Sequence, residues 1–448
     1  MKGGIQLLAL ALGFIVVMNI PGVLSQPQQP FSQNDEKPYL VLSEEKGKRW
    51  DINDVSIVYL NGTFYEMGYG LGTLVKQEIS LNARAFRNYY AEQGIYQKEL
   101  MDLWNLQKPF IPQQVIDYIQ GCADALDVPF EDVACIWVAE GAAYVHKCSS
   151  FAAWGPATKD GNLIQMRSLE FPLEIQDPLT GGFVQDSPLI VICDPIDHHA
   201  FMYPTFAGYV VEDGMNEYGI AVSNMWSPNS DQTCSGAPMG IRLFEALYSS
   251  TTAEEAIDII TNDRTFGYNF IVSDAKVPIG YAVETTAHKT YVGTWDNPVE
   301  SLNPFWEIPY VVRRTNCFLD PDVASTQRDI YNPNALQYWL SMYSDNPKPY
   351  PIIWNHYKAL SKGIEAHYGE LDLNLSMTML QSVYHGGYDI LWNILLSSME
   401  SWNTWWQWVA CPSSGDFLIT FAKGQTSAYS NSAFSINLIE TLANKQPS

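Results

Sequence analysis

The chain has 448 residues, of which 47% are hydrophobic and 17% charged, enough for one large or two moderate domains with a sizeable core. Its formal net charge of −24 repels phosphate backbones and anionic bilayers, which excludes nucleic acid as an expected partner. An acidic surface of this kind is typical of secreted, periplasmic and lysosomal proteins, and we expect one of these exported locations.

The first 25 residues have the pattern of a signal peptide. Lys2 precedes an almost continuous apolar run from Ile5 to Met18, and small or apolar residues stand at the third and first positions before Gln26. Since the run is short for a membrane-spanning helix, we expect a secreted or luminal protein with no stable membrane insertion. An uncleaved anchor is the alternative.

Two sequons add to the expectation of export. Asn61 begins Asn-Gly-Thr and Asn374 begins Asn-Leu-Ser. Both are candidate glycosylation sites if the source organism glycosylates its exported proteins.

Residues 26–147 are predicted to be a mostly helical N-terminal segment. A polar lead-in at 26–40 and a short strand at 56–60 come first. Glycines at 68, 70 and 72 suit a turn into a helix or a helix packed closely on a neighbour. Apolar periodicity predicts a helix up to about Tyr89 and two more within 112–141.

Residues 148–448 have a different pattern, in which strand pairs alternate with helices. This alternation predicts an α+β layered core. Strands are predicted within 148–171, 188–195, 201–226, 268–293 and 407–424, and helices within 239–262, around 328–345 and 352–362, and within 376–385.

Seven cysteines are present, and an odd number leaves at least one thiol unpaired or paired with another chain. Export favours disulfides. If Cys148 is the free thiol, the remaining six have pairings that the sequence does not determine: Cys122, Cys135, Cys193, Cys234, Cys317 and Cys411. No spacing is of the zinc-binding type, so we expect no metal site.

The stretch "KCSSFAAWGPATKDGNLIQMRSLEF" carries the strongest chemical signal. Cys148 begins a predicted hairpin whose second strand ends with Arg167 and Glu170. The hairpin therefore brings two charged side chains close to the thiol. A nearby arginine lowers the pKa of a thiol and makes the thiolate more available. Strand alternation places Arg167 and Glu170 on opposite faces unless a bulge intervenes. The alternatives are half of a disulfide and an ordinary ion pair.

This stretch resembles the start of the catalytic chain in cysteine N-terminal-nucleophile (Ntn) hydrolases. The closest likeness is to the isopenicillin N acyltransferase-like proteins of peptidase family C45, with acid ceramidase and choloylglycine hydrolase as relatives. The segments "YLNGTFYEMGYGLGTLVKQEI", "EDGMNEYGIAVSNM", "GYNFIVSDA" and "RRTNCFLDPDVASTQRDIYN" resemble the same family in the same order.

The resemblance implies a four-layer αββα sandwich and self-cleavage between Lys147 and Cys148. It implies two chains, 26–147 and 148–448, that remain associated. It also implies hydrolysis or transfer at the linear amide of a small-molecule N-acyl substrate, without a cofactor. The free α-amine of Cys148 then serves as the general base for its own thiol, since its unperturbed pKa is near 8.

Residue roles follow from the resemblance for the first hairpin. Cys148 matches the nucleophile, and Arg167 matches the arginine that holds the nucleophile and the substrate carbonyl. Glu170 stands where related families have Asp, and Ser168 where they have Asn. Cys317 stands where the C45 pattern usually has His.

Three further roles follow later in the chain. Asn224 matches the position whose backbone N–H helps to form the oxyanion hole, and Asn269 is the candidate side-chain donor to it. Arg328 matches the late arginine, with Arg313 or Arg314 as alternatives.

Taken together, the sequence predicts an exported, self-cleaving amidohydrolase. An acyltransferase on the same fold remains open, because an amine or thiol can replace water as the acyl acceptor. A luminal binding protein that has lost the chemistry also remains open, and the Glu at position 170 gives it some weight.

Overall fold

Two β-sheets form the centre of the chain. The computed structural model describes residues 38–44, 46–52, 54–139, 147–327, 350–397 and 403–447. The predicted signal peptide, the helix predicted around 328–345 and the candidate Arg328 therefore lie outside the described residues.

A ten-stranded sheet, here called the large sheet, has the order β1-β2-β3-β6-β7-β8-β9-β10-β11-β12, and a six-stranded small sheet has the order β13-β4-β5-β14-β15-β16. The strands in chain order are β1 (Tyr39–Glu44), β2 (Gly47–Ile52), β3 (Val55–Gly62), β4 (Lys147–Gly155), β5 (Gly161–Glu170), β6 (Pro188–Pro195), β7 (Phe201–Phe206), β8 (Asp213–Asn216), β9 (Ile220–Trp226), β10 (Tyr268–Asp274), β11 (Ile279–Thr285), β12 (Thr290–Gly293), β13 (Val311–Arg314), β14 (Trp406–Cys411), β15 (Asp416–Phe421) and β16 (Phe434–Asn437).

Five of the described helices begin at a residue whose side chain caps the first turn. Thr63 and Glu66 form a capping box at the start of α1, and the Thr252 side chain accepts a hydrogen bond from the N–H of Glu255 at α7. The described helices are α1 (Phe64–Leu74), α2 (Lys76–Glu92), α3 (Gln97–Gln107), α4 (Gln113–Leu126), α5 (Phe130–Val138), α6 (Met239–Ser249), α7 (Ala253–Thr261), α8 (Pro321–Ala324), α9 (Tyr350–Ala366), α10 (Leu373–Tyr384), α11 (Ile390–Ser397) and α12 (Leu438–Asn444).

Strands at the centre of the large sheet are buried on both faces. Ile57 and Ile190 belong to the core between the two sheets, whereas Val58 and Val191 pack with the helices on the opposite face. Each such side chain contributes roughly 1.5–3 kcal/mol when it is fully buried. Burial on both faces explains why these strands are continuous apolar runs.

The glycine spacing at 68–72 serves helix packing. A Cβ on Gly68 would lie 2.0 Å from the carbonyl oxygen of Tyr118, and a Cβ on Gly121 would lie 2.0 Å from that of Tyr65. Helices α1 and α4 therefore approach each other so closely that their backbones touch at these two positions.

The N-terminal segment is helical only in part. Residues 64–138 form five helices, which include the predicted ones ending near Tyr89 and within 112–141 and the unpredicted α3, but residues 39–62 form the three strands β1–β3. Strand β1 exposes all six of its residues, so no alternation of apolar and polar positions marked it. Strand β3 pairs in parallel with β6, which lies after Cys148 in the chain.

The small sheet has a polar outer face covered by α10. Ser149 Oγ lies 3.0 Å from the hydroxyl of Tyr384 on that helix. Its inner face contributes Trp406 and Trp408 to the core between the sheets and also carries polar side chains, among them Gln165, which donates to Ser223 of the large sheet. Because β4 and β5 lie near the middle of this sheet, the hairpin that carries Cys148 is supported on both sides.

Candidate active site

Cys148 occupies the second position of β4, and its side chain lies in the core between the sheets. It is almost completely buried and stands opposite Leu169 of β5. The thiol lines a small pocket together with Tyr90, Glu212 and Asn224. The volume of this pocket is about 20 Å³, which leaves room for a water molecule.

Arg167 lies beside the thiol. Its Nη2 donates a hydrogen bond to Sγ of Cys148 at 3.2 Å, and its Nη1 donates to the backbone carbonyl of Ser168. The guanidinium is fully buried. A buried charge of this kind needs a partner, because its desolvation is costly.

Asp213 is that partner. Its Oδ2 lies 3.6 Å from Nε of Arg167. The same carboxylate accepts hydrogen bonds from the indole N–H groups of Trp406, at 3.1 Å, and Trp408, at 2.8 Å. Burial raises the pKa of Asp213 to about 7, although Arg167 and both indoles act in the opposite direction.

Burial has the largest effect on the pKa of the Cys148 thiol. It raises the pKa of Cys148 to about 12, and the positive charge of Arg167 offsets only part of that increase. The negative charges of Glu170 and Glu212 raise the pKa further. Arg167 therefore acts on the pKa of the thiol in the predicted direction, but burial outweighs it, and the net pKa of Cys148 in the intact chain is raised.

Asn316 binds the backbone nitrogen of Cys148. Its Oδ1 accepts a hydrogen bond from the N–H of Cys148 at 2.7 Å, and its Nδ2 donates to the carbonyl of Trp226 at 2.6 Å. We did not predict Asn316 as a site residue. The signal for it was the Thr-Asn pair in "RRTNCFLDP", where we considered only the arginines and Cys317.

Glu212 places a carboxyl group in the same pocket as the thiol. Its Oε2 accepts from Nδ2 of Asn224 at 2.8 Å, and its Oε1 accepts from the hydroxyl of Tyr209 at 3.1 Å. Burial raises the pKa of this carboxyl group. The sequence signal for Glu212 and Asp213 was an acidic pair directly after the apolar "AGYVV".

Asn224 lies near Cys148, but its side chain is already engaged. Its Nδ2 donates to the backbone carbonyl of Glu212 as well as to its carboxyl group. The backbone N–H of Asn224, which we predicted to help form the oxyanion hole, belongs to β9. In that strand Asn224 stands opposite Phe270 of β10.

Glu170 faces away from the thiol. No bulge interrupts β5 between Arg167 and Glu170, so the two side chains lie on opposite faces of the small sheet. Oε1 of Glu170 accepts a hydrogen bond from Ser168 at 2.6 Å, and Ser168 accepts one from Gln407 at 3.0 Å. The backbone of Lys147, the predicted cleavage position, stands opposite Glu170 in the strand register.

Asn269 is buried and binds backbone carbonyls. Its Nδ2 donates to the carbonyls of Thr315 and Cys317 at 2.7 and 2.8 Å. Both amide hydrogens thus hold the segment around Asn316, which leaves none for an oxyanion in this arrangement.

The two alternative arginines bind elsewhere. Arg313 donates through Nε to Ser361 Oγ at 2.6 Å. Arg314 lies between Glu284 and Glu300, at 2.8 and 2.6 Å. Neither guanidinium is paired with the thiol in these contacts.

The cysteines correct a second expectation. All seven lie within the described residues and all are free thiols, so the structure contains no disulfide among them. Six are buried, and a buried cysteine behaves as a small hydrophobic side chain. Cys234 is exposed.

The sequons differ in accessibility. Asn374 is exposed near the start of α10, whereas Asn61 is half-buried at the end of β3. Thr63, the third residue of the first sequon, is engaged in the capping box of α1.

In the parts of the chain that the structure describes, no helix combines the length and apolar character needed to cross a membrane.

Comparisons with known proteins give distant similarities. No family model matches the chain. Protein dcd1B of Dictyostelium discoideum is 22% identical over 334 residues, which is 65% of this chain and 65% of that protein. Protein dcd1A of the same organism is 23% identical over 275 residues, which is 53% of this chain and 60% of that protein. The chain thus spans less than two thirds of the length of these relatives.

Among solved structures, penicillin V acylase from Agrobacterium tumefaciens has a TM-score of 0.39 and 14% identity, covering 65% of this chain and 87% of its own. A mutant of conjugated bile acid hydrolase from Clostridium perfringens has a TM-score of 0.39 and 13% identity, covering 65% and 93%. Both are Ntn-hydrolase fold members. These scores indicate a loose resemblance.

Proposed function

We propose that this chain is an Ntn amide hydrolase that cleaves itself between Lys147 and Cys148 and then uses Cys148 as its nucleophile. One observation carries the proposal: a buried arginine contacts the Cys148 thiol while an asparagine side chain holds the nitrogen of the same residue. That nitrogen is the atom that an N-terminal nucleophile needs as a free amine.

Self-cleavage starts with attack of the Cys148 sulfur on the carbonyl carbon of Lys147. The C–N bond breaks, the nitrogen of Cys148 takes up the thiol proton and becomes an amine, and a thioester to Lys147 forms. Because the thiol pKa is about 12, a group must carry that proton, and Glu212 lines the same pocket. One water then hydrolyses the thioester, and the pocket has room for it.

The same groups then act on a substrate. The α-amine of Cys148 removes the proton from the thiol, and the thiolate attacks the amide carbonyl. The amine leaves with that proton, and water hydrolyses the acyl thioester. Arg167 stabilises the sulfur anion, and Asp213 and the two indoles fix the guanidinium.

We propose a substrate with an apolar acyl group. A second pocket of about 30 Å³ shares Tyr90 and Ile136 with the thiol pocket, and Phe86, Leu100 and Cys135 also line it. The apolar part of this lining favours an acyl chain, and the charged residues Arg87 and Asp132 also border the pocket.

The proposal also includes the four-layer fold, the association of the two chains after cleavage, and export. Helices on the outer face of the large sheet, the two sheets, and α10 on the outer face of the small sheet support a four-layer αββα sandwich. The parallel pairing of β3 with β6 joins segment 26–147 to segment 148–448, so the two chains would stay associated after cleavage. Export, with removal of residues 1–25, remains part of the proposal.

The deciding experiment is the intact mass of the purified protein under reducing, denaturing conditions, with N-terminal sequencing of each fragment. By residue count, the 50.4 kDa chain should give fragments of about 14 kDa and about 34 kDa, the larger one beginning Cys-Ser-Ser-Phe. The Cys148→Ala variant should remain one chain and lack activity. Cleavage of that variant at the same bond would refute the mechanism.

Substrate assays separate the alternatives. Release of free acid from N-acyl amines, with no diversion when an amine or thiol is added, supports hydrolysis. Diversion of the acyl group to the added compound identifies an acyltransferase. A wild-type chain that stays uncut at acid and neutral pH supports the binding protein.

A further inference from the structure

The segment 315–320 brings Asn316 to Cys148 from outside the hairpin of the nucleophile. It leaves the small sheet after β13 and runs without regular structure until α8 begins at Pro321. Two side chains on neighbouring strands of the large sheet lie against it. Asn269 of β10 and Glu284 of β11 are direct cross-strand partners.

The two partners bind opposite kinds of backbone group. Asn269 donates to the carbonyls of Thr315 and Cys317, the residues on either side of Asn316. Glu284 accepts from the N–H groups of Leu319, at 2.8 Å, and Asp320, at 3.1 Å. Four backbone groups of an irregular segment are thus fixed by two buried side chains.

Glu284 is itself held by charge. Arg314, the last residue of β13, donates through Nε to Oε1 of Glu284 at 2.8 Å and through Nη2 to Glu300 at 2.6 Å. All three side chains are almost completely buried. Such a network keeps one arrangement, because each charge is costly without its partners.

We propose that Glu284 and Asn269 are positioning residues that act through Asn316 to fix the nitrogen of Cys148. This inference rests on the proposed function for its chemical consequence, although the contacts exist in the intact chain. Asn316 has a single contact with the nucleophile, so a small displacement of the segment removes it. Misplacement by about 1 Å can cost about 100-fold in rate.

A double-mutant cycle on self-cleavage tests the coupling. Glu284→Gln keeps the shape of the side chain, but it removes one of the two carboxylate charges that pair with Arg314, and the new amide can accept a hydrogen bond at only one of its two positions. We expect it to slow cleavage by about 100-fold. In an Asn316→Ala background the same change should cost less than about threefold, since the contact that it protects is already absent.

A matched control separates this coupling from loss of stability. Asp389 is also a buried carboxylate that binds lysines and a backbone N–H, and Asp389→Asn should slow cleavage by the same small factor in both backgrounds. An equal effect of Glu284→Gln in both backgrounds would overturn the proposal. Should that variant not fold, Asn269→Ala takes its place with the same expectation.

Hydrogen exchange tests the geometry without any chemistry. In the uncut Cys148→Ala chain, Glu284→Gln should release about one protected amide in the peptide 147–155 and about two in 315–320. Loss of amide protection in 315–320 with none in 147–155 would overturn the link to residue 148. No loss of protection in 315–320 would show that Glu284 does not fix the backbone of that segment. A wild-type chain that never cleaves would refute the proposed function and still leave this measurement decisive.

Discussion

The side-chain oxygen of Asn316 lies 2.7 Å from the backbone nitrogen of Cys148. In the intact chain this contact orients the peptide bond that would be cleaved. After cleavage the same oxygen would accept from the new amine and hold it next to the thiol. Under the proposed function, one contact would therefore serve both the self-cleavage and the later reaction, and it links residues that are 168 positions apart.

Removing the arginine contact should slow self-cleavage. Arg167→Gln deletes the charge-assisted hydrogen bond to the thiol, which is worth roughly 1.5–3 kcal/mol, so we expect a decrease of about 10–100-fold. The rate is measured by gel or mass spectrometry across pH, and its rise should move to higher pH. The single variant leaves the buried Asp213 carboxyl group without its positive partner, which lowers stability. The double variant Arg167→Gln, Asp213→Asn removes both charges and therefore serves as the control for that loss of stability. An unchanged rate in both would contradict the role of Arg167.

Asp213 should make the protein more stable in mild acid. Its pKa in the folded state, about 7, is above its ordinary value of 3.8, so the folded chain holds a proton that the unfolded chain releases. The stabilising contribution is complete below about pH 4 and is lost as pH rises through 7. We expect Asp213→Asn to flatten this slope, which is at most about 1.4 kcal/mol per pH unit, in urea denaturation at several pH values.

The control for that experiment is Asp177. Arg84 lowers the pKa of its carboxyl group, so its contribution has the opposite sign and is lost as pH falls. Asp177→Asn should therefore reduce the loss of stability in acid. If Asp213→Asn left the slope between pH 4 and 7 unchanged, the burial of this carboxyl group would not control it.

Glu170→Gln should change stability and leave the chemistry intact. The side chain binds Ser168 on the face of the small sheet that α10 covers. We expect a loss of about 1–3 kcal/mol in unfolding free energy, with self-cleavage within about threefold of the wild-type rate. Loss of cleavage by 100-fold at unchanged stability would instead give Glu170 a direct part in the reaction.

A thiol count tests the absence of disulfides. Cys234 is the exposed cysteine, so one thiol of the native protein should react quickly with an aromatic disulfide reagent. Denaturation without a reducing agent should expose all seven. A count of five or fewer in the denatured protein would mean that at least one disulfide forms.

Local patterns predicted much of the fold. Apolar periodicity located α4, α5 and the late strand pair β14–β15, and the Thr-Thr-Ala-Glu-Glu stretch located the start of α7. The hairpin of β1 and β2 escaped prediction because β1 is exposed on both faces.

The site was predictable only where it is local. The Cys148 hairpin returns Arg167 to the thiol, and strand alternation separates Arg167 from Glu170. Asp213 and Asn316 come from strands and loops far along the chain, and their pairing leaves no periodic pattern. Which of several buried polar residues meets the thiol depends on how the two sheets pack, which no single segment encodes.

The pairing of Asp213 with Trp406 and Trp408 ties the order of events to the length of the chain. The thiol needs Arg167, Arg167 needs Asp213, and Asp213 is held by residues near the C-terminal end. A ribosome-bound chain that lacks β14 cannot yet assemble this site. Under the proposed function, scission at Cys148 would therefore wait until β14 has been synthesised and has joined the small sheet, so cleavage would depend on completed synthesis and folding of this domain.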